Sequence, residues 1–335
     1  MLFFHKLPNC LKVWVIKRNL CSREMRLYEK GYPVTDEQRR WLTFGAVLFT
    51  QNIDSCRTLK STYPQAAIKE SISDWWDINN REEALETVWR LSAAEVHTPF
   101  ADDVYRTLVR QGNVGLQAPM SLPHISWLEN AYQRTAERML DSLMDVYKAE
   151  KEQLSKNEIE NPGDRNSAKQ YIQDLVEKID EILKRTDADS GNPLNAKDIL
   201  MELGYTEEDI ITEMNANMDY GLENYRAARK VLTKLGYTEN ELSRVRTTAA
   251  WDYGRTPKIA RDSFLIGYIT ESEAWEFMKT AAESAEKLYS GWREYSAGYV
   301  LGRAIGYGND SRDIYAALYY LLKNRHSPFN EIEFR

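Results

Sequence analysis

Helix-start signals recur along this sequence, whereas the alternating pattern of a β-strand does not. Thr35–Gln38 and Thr270–Glu273 both have the Ser/Thr-x-x-Glu/Gln form of a capping box, in which each end of the motif satisfies a backbone N–H that a helix leaves unpaired. After Thr270, apolar residues recur at intervals of three and four, which is the spacing of one helix face. Val- and Ile-rich alternating runs between Asn-Gly or Asp-Gly turns are missing. The sequence therefore predicts an all-α fold, built as a multi-helix globular bundle.

A charged segment over residues 130–190 is predicted to form an antiparallel helical hairpin inserted into this bundle. Its first arm, Asn130–Lys156, ends at Asn161–Asp164, because Pro lacks an N–H and Gly tolerates positive φ. The second arm carries an apolar stripe typical of a two-helix seam. A packed insertion without its own activity and a protruding arm that recognises another protein both fit this pattern. The polar stretch Asp187–Asn195 then marks a boundary.

Four parts of the chain are predicted on this basis. They are a basic leader over 1–31, an N-terminal helical part over 32–129, the hairpin over 130–190 and a C-terminal helical part over 191–335. The leader contains seven Lys or Arg and two Glu, a net charge of +5, so the rest of the chain carries −12 within a total of −7. Met25 is an alternative native start, in which case residues 1–24 would be poorly integrated with the fold.

The sequence excludes several classes of protein. The first twenty residues lack the apolar run of about 7–15 residues of a signal peptide, and no run approaches the ~20 residues of a membrane span. An acidic body repels nucleic-acid phosphates and favours a basic protein partner. Cys10, Cys21 and Cys56 lack metal-ligand spacing. Dinucleotide glycine motifs, a P-loop lysine, a nucleophile elbow and His-Glu-x-x-His are missing. We therefore expect a cytoplasmic protein without a membrane span, nucleic-acid ligand, metal or cofactor.

Two blocks of the sequence carry a distinctive series of motifs. The first runs from Trp76-Asp77-Ile78 through Arg81-Glu82-Glu83-Ala84-Leu85 to His97-x-x-Phe100. The second contains, in order, Trp251-Asp252-x-Gly254-Arg255, Arg261, Gly267-Tyr268-Ile269-Thr270-x-x-Glu273-Ala274-Trp275, Ser290-x-Trp292, Tyr299-x-Leu301-Gly302-Arg303 and Ser327-Pro328-Phe329. This series resembles the bacterial family known as domain of unknown function 1266. The resemblance covers residues 75–100 and 249–329 and implies no reaction, because no activity is established for the family.

The second block supplies the candidate site residues, which are Trp251, Asp252, Arg255, Arg261, Glu273, Trp275, Trp292, Tyr299 and Arg303. Trp251 and Arg255 are four residues apart, so a guanidinium can cover the indole ring. Asp252 and Glu273 are the expected carboxylate partners of Arg255 or Arg261. Two interpretations stay open: a helix-packing signature with a buried ion network, and a polar, aromatic-rimmed pocket for a small anion or a protein side chain.

Three glycines in the same block recur every four residues. Gly298, Gly302 and Gly306 would form a flat groove on a helix, which lets another backbone approach closely. Arg303 is predicted to lie beside this groove.

The leading hypothesis for function is a non-catalytic protein-interaction role. The acidic helical scaffold, the hairpin and the lack of a catalytic motif suit a basic protein partner. In its specific form, the chain would be an immunity-type protein that neutralises a bacterial toxin. The alternative is an enzyme or small-ligand sensor that uses Trp251, Asp252, Arg255, Glu273 and Arg303. This alternative predicts a concave pocket with inward-pointing guanidinium groups, and it leaves acid–base chemistry by Asp252 and Glu273 open.

Overall fold

The structure, a computed structural model, describes residues 33–110, 126–155, 176–182, 195–308 and 312–335. Every regular element in these ranges is an α-helix, which confirms the all-α prediction. The predicted leader, the Met25 start and the hairpin break at 161–164 lie outside the described residues. The helices are α1 (Asp36–Thr43), α2 (Ala46–Gln51), α3 (Gln65–Trp76), α4 (Arg81–Ser92), α5 (Thr98–Arg110), α6 (Ser126–Ser155), α7 (Ala196–Leu203), α8 (Glu207–Lys234), α9 (Glu239–Leu242), α10 (Ala250–Tyr253), α11 (Thr256–Leu265), α12 (Glu271–Leu288), α13 (Trp292–Tyr307), α14 (Arg312–Lys323) and α15 (Pro328–Glu331).

The chain divides into two compact units. The first consists of residues 1–119 and 220–335, and the second of residues 120–219. The four predicted parts stay predictions, although the predicted hairpin falls inside the second unit. None of the described helices is long and apolar enough to cross a membrane.

The second unit is held together by apolar contacts along α6. Ala136 of this helix packs with Leu200 of α7 and Ile210 of α8. Further along α6, Tyr147 packs against Val176 and Ile179 of the helical stretch 176–182. The first arm of the predicted hairpin is therefore helical, and the part of the second arm that the structure describes packs on it.

The predicted helix starts are observed as capping boxes. The Thr35 hydroxyl accepts from Gln38 N–H, and the Gln38 side chain accepts from Thr35 N–H. Thr270 and Glu273 make the same exchange at the start of α12. One side chain differs from the sequence pattern. Trp89 follows the three-to-four spacing of the apolar residues of α4, but it is 52% exposed. The buried face of this helix is formed instead by Ala84, Val88 and Leu91.

Helix α13 lies at the centre of the first unit. Eleven of its sixteen residues are buried, and it contacts α5, α9, α10 and α14. The glycine stripe on α13 receives the segment before α10: an added Cβ would lie 3.2 Å from the Thr247 carbonyl oxygen at Gly298 and 2.8 Å from the Thr248 carbonyl oxygen at Gly302. The predicted close backbone approach is therefore present, and it fixes the position of Trp251.

Replacing Gly302 with alanine is expected to lower the free energy of unfolding by about 1–3 kcal/mol, because the new methyl would overlap a backbone oxygen that cannot move aside alone. The control is Gly291→Ala, where an added Cβ meets no atom within 4 Å. We expect it to cost about half a kcal/mol, the difference between Gly and Ala as an N-cap. Urea unfolding of both variants checks this. Equal losses would show that the Gly302 contact is not tight.

Candidate functional site

Two aspartates cap each other's helices where α5 meets the segment around α10. Asp252 is completely buried, and its carboxylate accepts from the backbone N–H groups of His97 (3.0 Å) and Thr98 (2.9 Å) at the start of α5. In return, Asp102 of α5 accepts from the backbone N–H and hydroxyl of Thr248, just before α10. Each carboxylate thus satisfies N–H groups that a helix start leaves unpaired. The Asp252 carboxylate therefore has a structural role, because it joins α10 to the start of α5.

The charge of Asp252 is balanced by Arg255. The Arg255 guanidinium pairs with the Asp252 carboxylate, and the side chains are 7% and 0% exposed. Burial raises the pKa of the Asp252 carboxyl, but contact with His97, the Arg255 charge and the Thr98 N–H outweigh it and hold that pKa well below its usual range. Asp252 therefore stays ionised at neutral pH and has no role as a proton carrier there.

Two indole rings hold the Arg255 guanidinium in place. Its central carbon lies 4.0 Å from the Trp251 ring centroid and 5.3 Å from the Trp76 ring centroid. Its Nε donates to the Trp251 carbonyl at 3.1 Å, and its Nη2 donates to the Asp252 carboxylate and to Nδ1 of His97. Nη1 is the remaining nitrogen, and it has no hydrogen-bond partner among the described residues. The rings and hydrogen bonds therefore fix a cation that keeps one free donor.

His97 is held as a neutral imidazole. Its Nδ1 lies 2.6 Å from Nη2 of Arg255, which can only donate, so Nδ1 accepts and the ring proton is on Nε2. Burial lowers the pKa of His97 below its ordinary value of 6.5, and the Arg255 and Arg90 charges lower it further, against the opposing effect of Asp252. The ring also packs on Trp251, with a centroid separation of 4.3 Å. His97 therefore presents a neutral N–H donor at neutral pH.

A pH dependence of stability follows from this depressed pKa. The unfolded chain takes up a proton at His97 near pH 6.5, whereas the folded chain does so only at lower pH. The free energy that His97 contributes is fully present above pH 6.5 and is lost as the pH falls through the folded pKa, with a slope of at most about 1.4 kcal/mol per pH unit. Urea unfolding between about pH 7.5 and pH 5.5 measures it. The His97→Gln variant should lose this part of the slope, and an unchanged slope would contradict the assignment.

Trp76, His97, Trp251 and Arg255 form the floor of a cleft in the first unit. The volume of this cleft is about 460 Å³. Clefts of this size bind small molecules in many proteins. The walls combine rings with positive charge, and the lining residues are Leu48, Gln51, Asn52, Trp75, Trp76, Asp77, Thr87, Arg90, Val96, His97, Trp251, Arg255, Tyr299, Arg303 and Tyr307. Asp77 is the one carboxylate among these lining residues.

Polar groups without a protein partner converge on this cleft. Tyr299 is 1% exposed, burial raises its pKa so that its hydroxyl stays protonated, and that hydroxyl has no hydrogen bond within the described part of the chain. Nη1 of Arg255 and Nε2 of His97 also have no hydrogen-bond partner among the described residues. The amide oxygen of Gln51 is buried and unpaired as well. Of these four groups, only the Gln51 oxygen is fully shielded from solvent, so the other three can be reached by a ligand in the cleft.

Three helices end at the rim of the cleft with a left-handed residue that is not glycine. Ile53 follows α2, Asp77 ends α3 and Ala94 follows α4, with φ angles of 53°, 53° and 59°. Such a conformation costs roughly 1–2 kcal/mol for a residue with a Cβ. The turns bring Gln51, Trp76 and His97 to the cleft, and the helix carboxyl ends place partial negative charge at its rim.

The other four predicted site residues lie outside the cleft. Arg261 is buried against Asp54 and Asp262, with Nη2 to oxygen distances of 2.5 and 3.0 Å. Glu273 pairs with Arg81 at 2.6 Å, rather than with Arg255 or Arg261. None of these residues lines the cleft.

Two predicted tryptophans also lie away from the cleft. Trp275 packs near Trp41, with ring centroids 6.3 Å apart. Trp292 stacks on Phe329 at 4.9 Å and donates from Nε1 to the Ile332 carbonyl. The structure therefore brings together Trp251, Asp252, Arg255, Tyr299 and Arg303 from the predicted set.

Sequence reasoning did not select four residues that shape the cleft. Trp76 and His97 belong to the first motif block, so their motifs were the available signal. Gln51 and Tyr307 lie outside both series of motifs and gave none. Among the described residues, no group of three or more His, Cys, Asp or Glu side chains could hold a metal ion.

Comparison with known proteins gives one match. Residues 71–334 match the model of the family described as "Protein of unknown function (DUF1266)", which confirms the resemblance seen in the two motif blocks and includes the stretch between them. Searches of the curated proteins and of the solved structures each give no significant match.

Proposed function

The chain belongs to the DUF1266 family, and we propose that it binds a small organic anion in the cleft above Arg255. The observation that carries this proposal is the pair of unpartnered donors on its floor. Arg255 and Tyr299 are 6% and 1% exposed, and each directs a donor without a protein partner in the described ranges to this cleft. A hydrogen bond from such a donor to a charged group contributes about 1.5–3 kcal/mol, which an anionic ligand would gain in this cleft.

The packing around these donors supports a preorganised binding site. Trp251 and Trp76 flank the guanidinium, and Asp252 holds its Nη2. Gly302 and Gly298 fix the segment that carries Trp251. A donor that is fixed before binding loses little conformational freedom when the ligand arrives.

The same contacts favour binding over acid–base catalysis. Asp252 accepts hydrogen bonds from two backbone N–H groups and pairs with Arg255, so its carboxylate is not available to take a proton from a ligand. Glu273 is engaged with Arg81 and with the start of α12. His97 has its Nδ1 occupied, so it cannot accept a proton from a ligand without breaking the Arg255 contact. A sensor or carrier of a small anion fits this arrangement.

A matched pair of variants on α13 tests the proposal. Tyr299→Phe removes the unpartnered hydroxyl, so it should leave stability unchanged and weaken binding of benzoate or phenyl phosphate about tenfold or more, the effect of losing a hydrogen bond to a charged group. Tyr295→Phe is the control. Its hydroxyl donates to the Phe44 carbonyl at 3.0 Å, so this variant should lose about 1–2 kcal/mol of stability and keep the affinity.

Isothermal titration calorimetry and urea unfolding give the two readouts. Failure of the wild-type protein to bind either anion at millimolar concentrations would overturn the proposal. The same would follow if Tyr295→Phe weakened binding as much as Tyr299→Phe while the protein stayed folded.

A protein-interaction role has one observation in its favour. Trp75 and Tyr307 line the cleft and are 75% and 65% exposed, and large exposed rings are enriched where proteins associate. The basic partner, the immunity-type role and the cytoplasmic location stay predictions from the sequence. A stable partner seated on the cleft would bury both rings and quench their fluorescence.

A further inference from the structure

We propose that His97 contacts the bound anion directly, through a hydrogen bond that its Nε2–H donates. This inference rests on the proposed function, which places the anion against Arg255 and Tyr299, and it adds a third donor to the site. The two ring nitrogens of His97 then have separate roles, because Nδ1 holds Arg255 in place and Nε2 binds the ligand.

The Nδ1 side of the ring is occupied by the protein. Nδ1 accepts from Nη2 of Arg255 at 2.6 Å and lies 3.4 Å from an oxygen of the Asp252 carboxylate. Because a guanidinium nitrogen can only donate, the proton of the neutral ring is on Nε2. The single lone pair of Nδ1 is therefore used, and only Nε2 can serve a ligand.

The Nε2 side of the ring is open to the cleft. His97 is one of the lining residues, its side chain is 27% exposed, and Nε2 has no hydrogen-bond partner among the described residues. Unlike the amide oxygen of Gln51, Nε2 is not fully shielded from solvent. An oxygen of a ligand in the cleft can therefore accept from this N–H.

Three contacts fix the direction in which this N–H points. The backbone N–H of His97 donates to Asp252 at 3.0 Å, the imidazole packs on Trp251 with a centroid separation of 4.3 Å, and Nδ1 accepts from Arg255. The Trp251 ring also holds the Arg255 guanidinium, 4.0 Å from its centroid. The imidazole and the guanidinium are thus held by the same residues, and a donor fixed in this way loses little conformational freedom on binding.

Two substitutions separate the roles of the two nitrogens. In His97→Asn, the amide oxygen takes the place of Nδ1 and can accept from Arg255, but no donor replaces Nε2. In His97→Gln, the longer side chain can bring its amide N–H to the place of Nε2, but no acceptor replaces Nδ1. A direct contact and a purely positioning role therefore predict opposite orders of affinity for these two variants.

The probe is whichever of benzoate and phenyl phosphate binds the wild-type protein more tightly. We expect His97→Asn to weaken its binding about tenfold or more, the effect of losing a hydrogen bond to a charged group. His97→Gln should bind the probe about threefold or more tightly than His97→Asn does. Isothermal titration calorimetry gives the affinities, and urea unfolding confirms that both variants are folded. If His97→Asn bound the probe as tightly as His97→Gln or more tightly, the inference would be wrong.

A nuclear magnetic resonance measurement on the wild-type protein does not depend on these substitutions. With nitrogen-15 labelled histidine, the Nε2–H signal of His97 should move downfield and exchange more slowly with water when the probe is added, because the proton enters a hydrogen bond. The two variants assign this signal by its loss. A signal left unchanged at saturation would overturn the direct contact and leave the anion site intact. Failure of both anions to bind the wild-type protein would instead overturn the proposed function.

Discussion

Replacing Arg261 with methionine is expected to lower the free energy of unfolding by about 3–5 kcal/mol, among the largest effects of any single change in this protein. Its guanidinium is completely buried and lies 2.5 Å from Asp54 and 3.0 Å from Asp262, whose side chains are 0% and 1% exposed. It also donates to the Ser55 carbonyl at 2.9 Å. Without the cation, the Asp54 carboxylate would stay buried and lose its direct ion-pair partner.

A second substitution and a surface control sharpen this test. Adding Asp54→Asn to Arg261→Met should recover part of the lost stability, because it removes the stranded carboxylate. Arg81→Met breaks an ion pair of similar length with Glu273, but Arg81 is 53% exposed, so water replaces the contact and the change should be much smaller. Urea unfolding followed by Trp fluorescence reports all three. A loss in Arg261→Met no larger than that in Arg81→Met would contradict this description of the buried network.

Replacing Asp252 with alanine is the second large expected effect, again about 3–5 kcal/mol of unfolding free energy. The substitution leaves the Arg255 guanidinium, 7% exposed, without its counterion. It also removes the acceptor for two N–H groups at the start of α5. The unpaired Arg255 charge and the unpaired N–H groups would lie together in a buried region, so hydration cannot fully replace the lost contacts.

Asp102→Ala is the matched control for this prediction. Asp102 also caps a helix start, since it accepts from Thr247 and Thr248, but the guanidinium that it pairs with, that of Arg106, is 59% exposed. Its loss should cost about 1–2 kcal/mol, the usual effect of removing an N-cap and its hydrogen bonds. Chemical unfolding of both variants under the same conditions gives the comparison. Equal losses would mean that the buried charge of Arg255 is tolerated without Asp252.

Local features of the fold could be predicted from the sequence because their partners are close along the chain. The capping boxes at Thr35 and Thr270 join residues three apart, and the Trp251–Arg255 contact joins residues four apart. The close approach of a backbone to Gly298 and Gly302 could also be predicted, since glycines four residues apart lie on one helix face and leave room for a neighbouring backbone.

Long-range pairings could not be derived in the same way. Arg261 is paired with Asp54, which is 207 positions away, and Glu273 with Arg81, 192 positions away. Many carboxylates in this acidic chain were equally plausible partners. The cleft itself depends on where α2, α3 and α4 end, and left-handed turns at residues such as Ile53 have no reliable sequence signal. For that reason Gln51 and Tyr307 entered the candidate site only with the structure.

The most direct test of the proposed anion site is a crystal structure of the protein soaked with 4-iodobenzoate, whose iodine gives an unambiguous anomalous signal. We expect the iodine peak inside the cleft, with a carboxylate oxygen about 2.7–3.2 Å from Nη1 of Arg255 and from the Tyr299 hydroxyl. An iodine peak found only outside the cleft, or a carboxylate turned away from Arg255 and Tyr299, would contradict the proposed function.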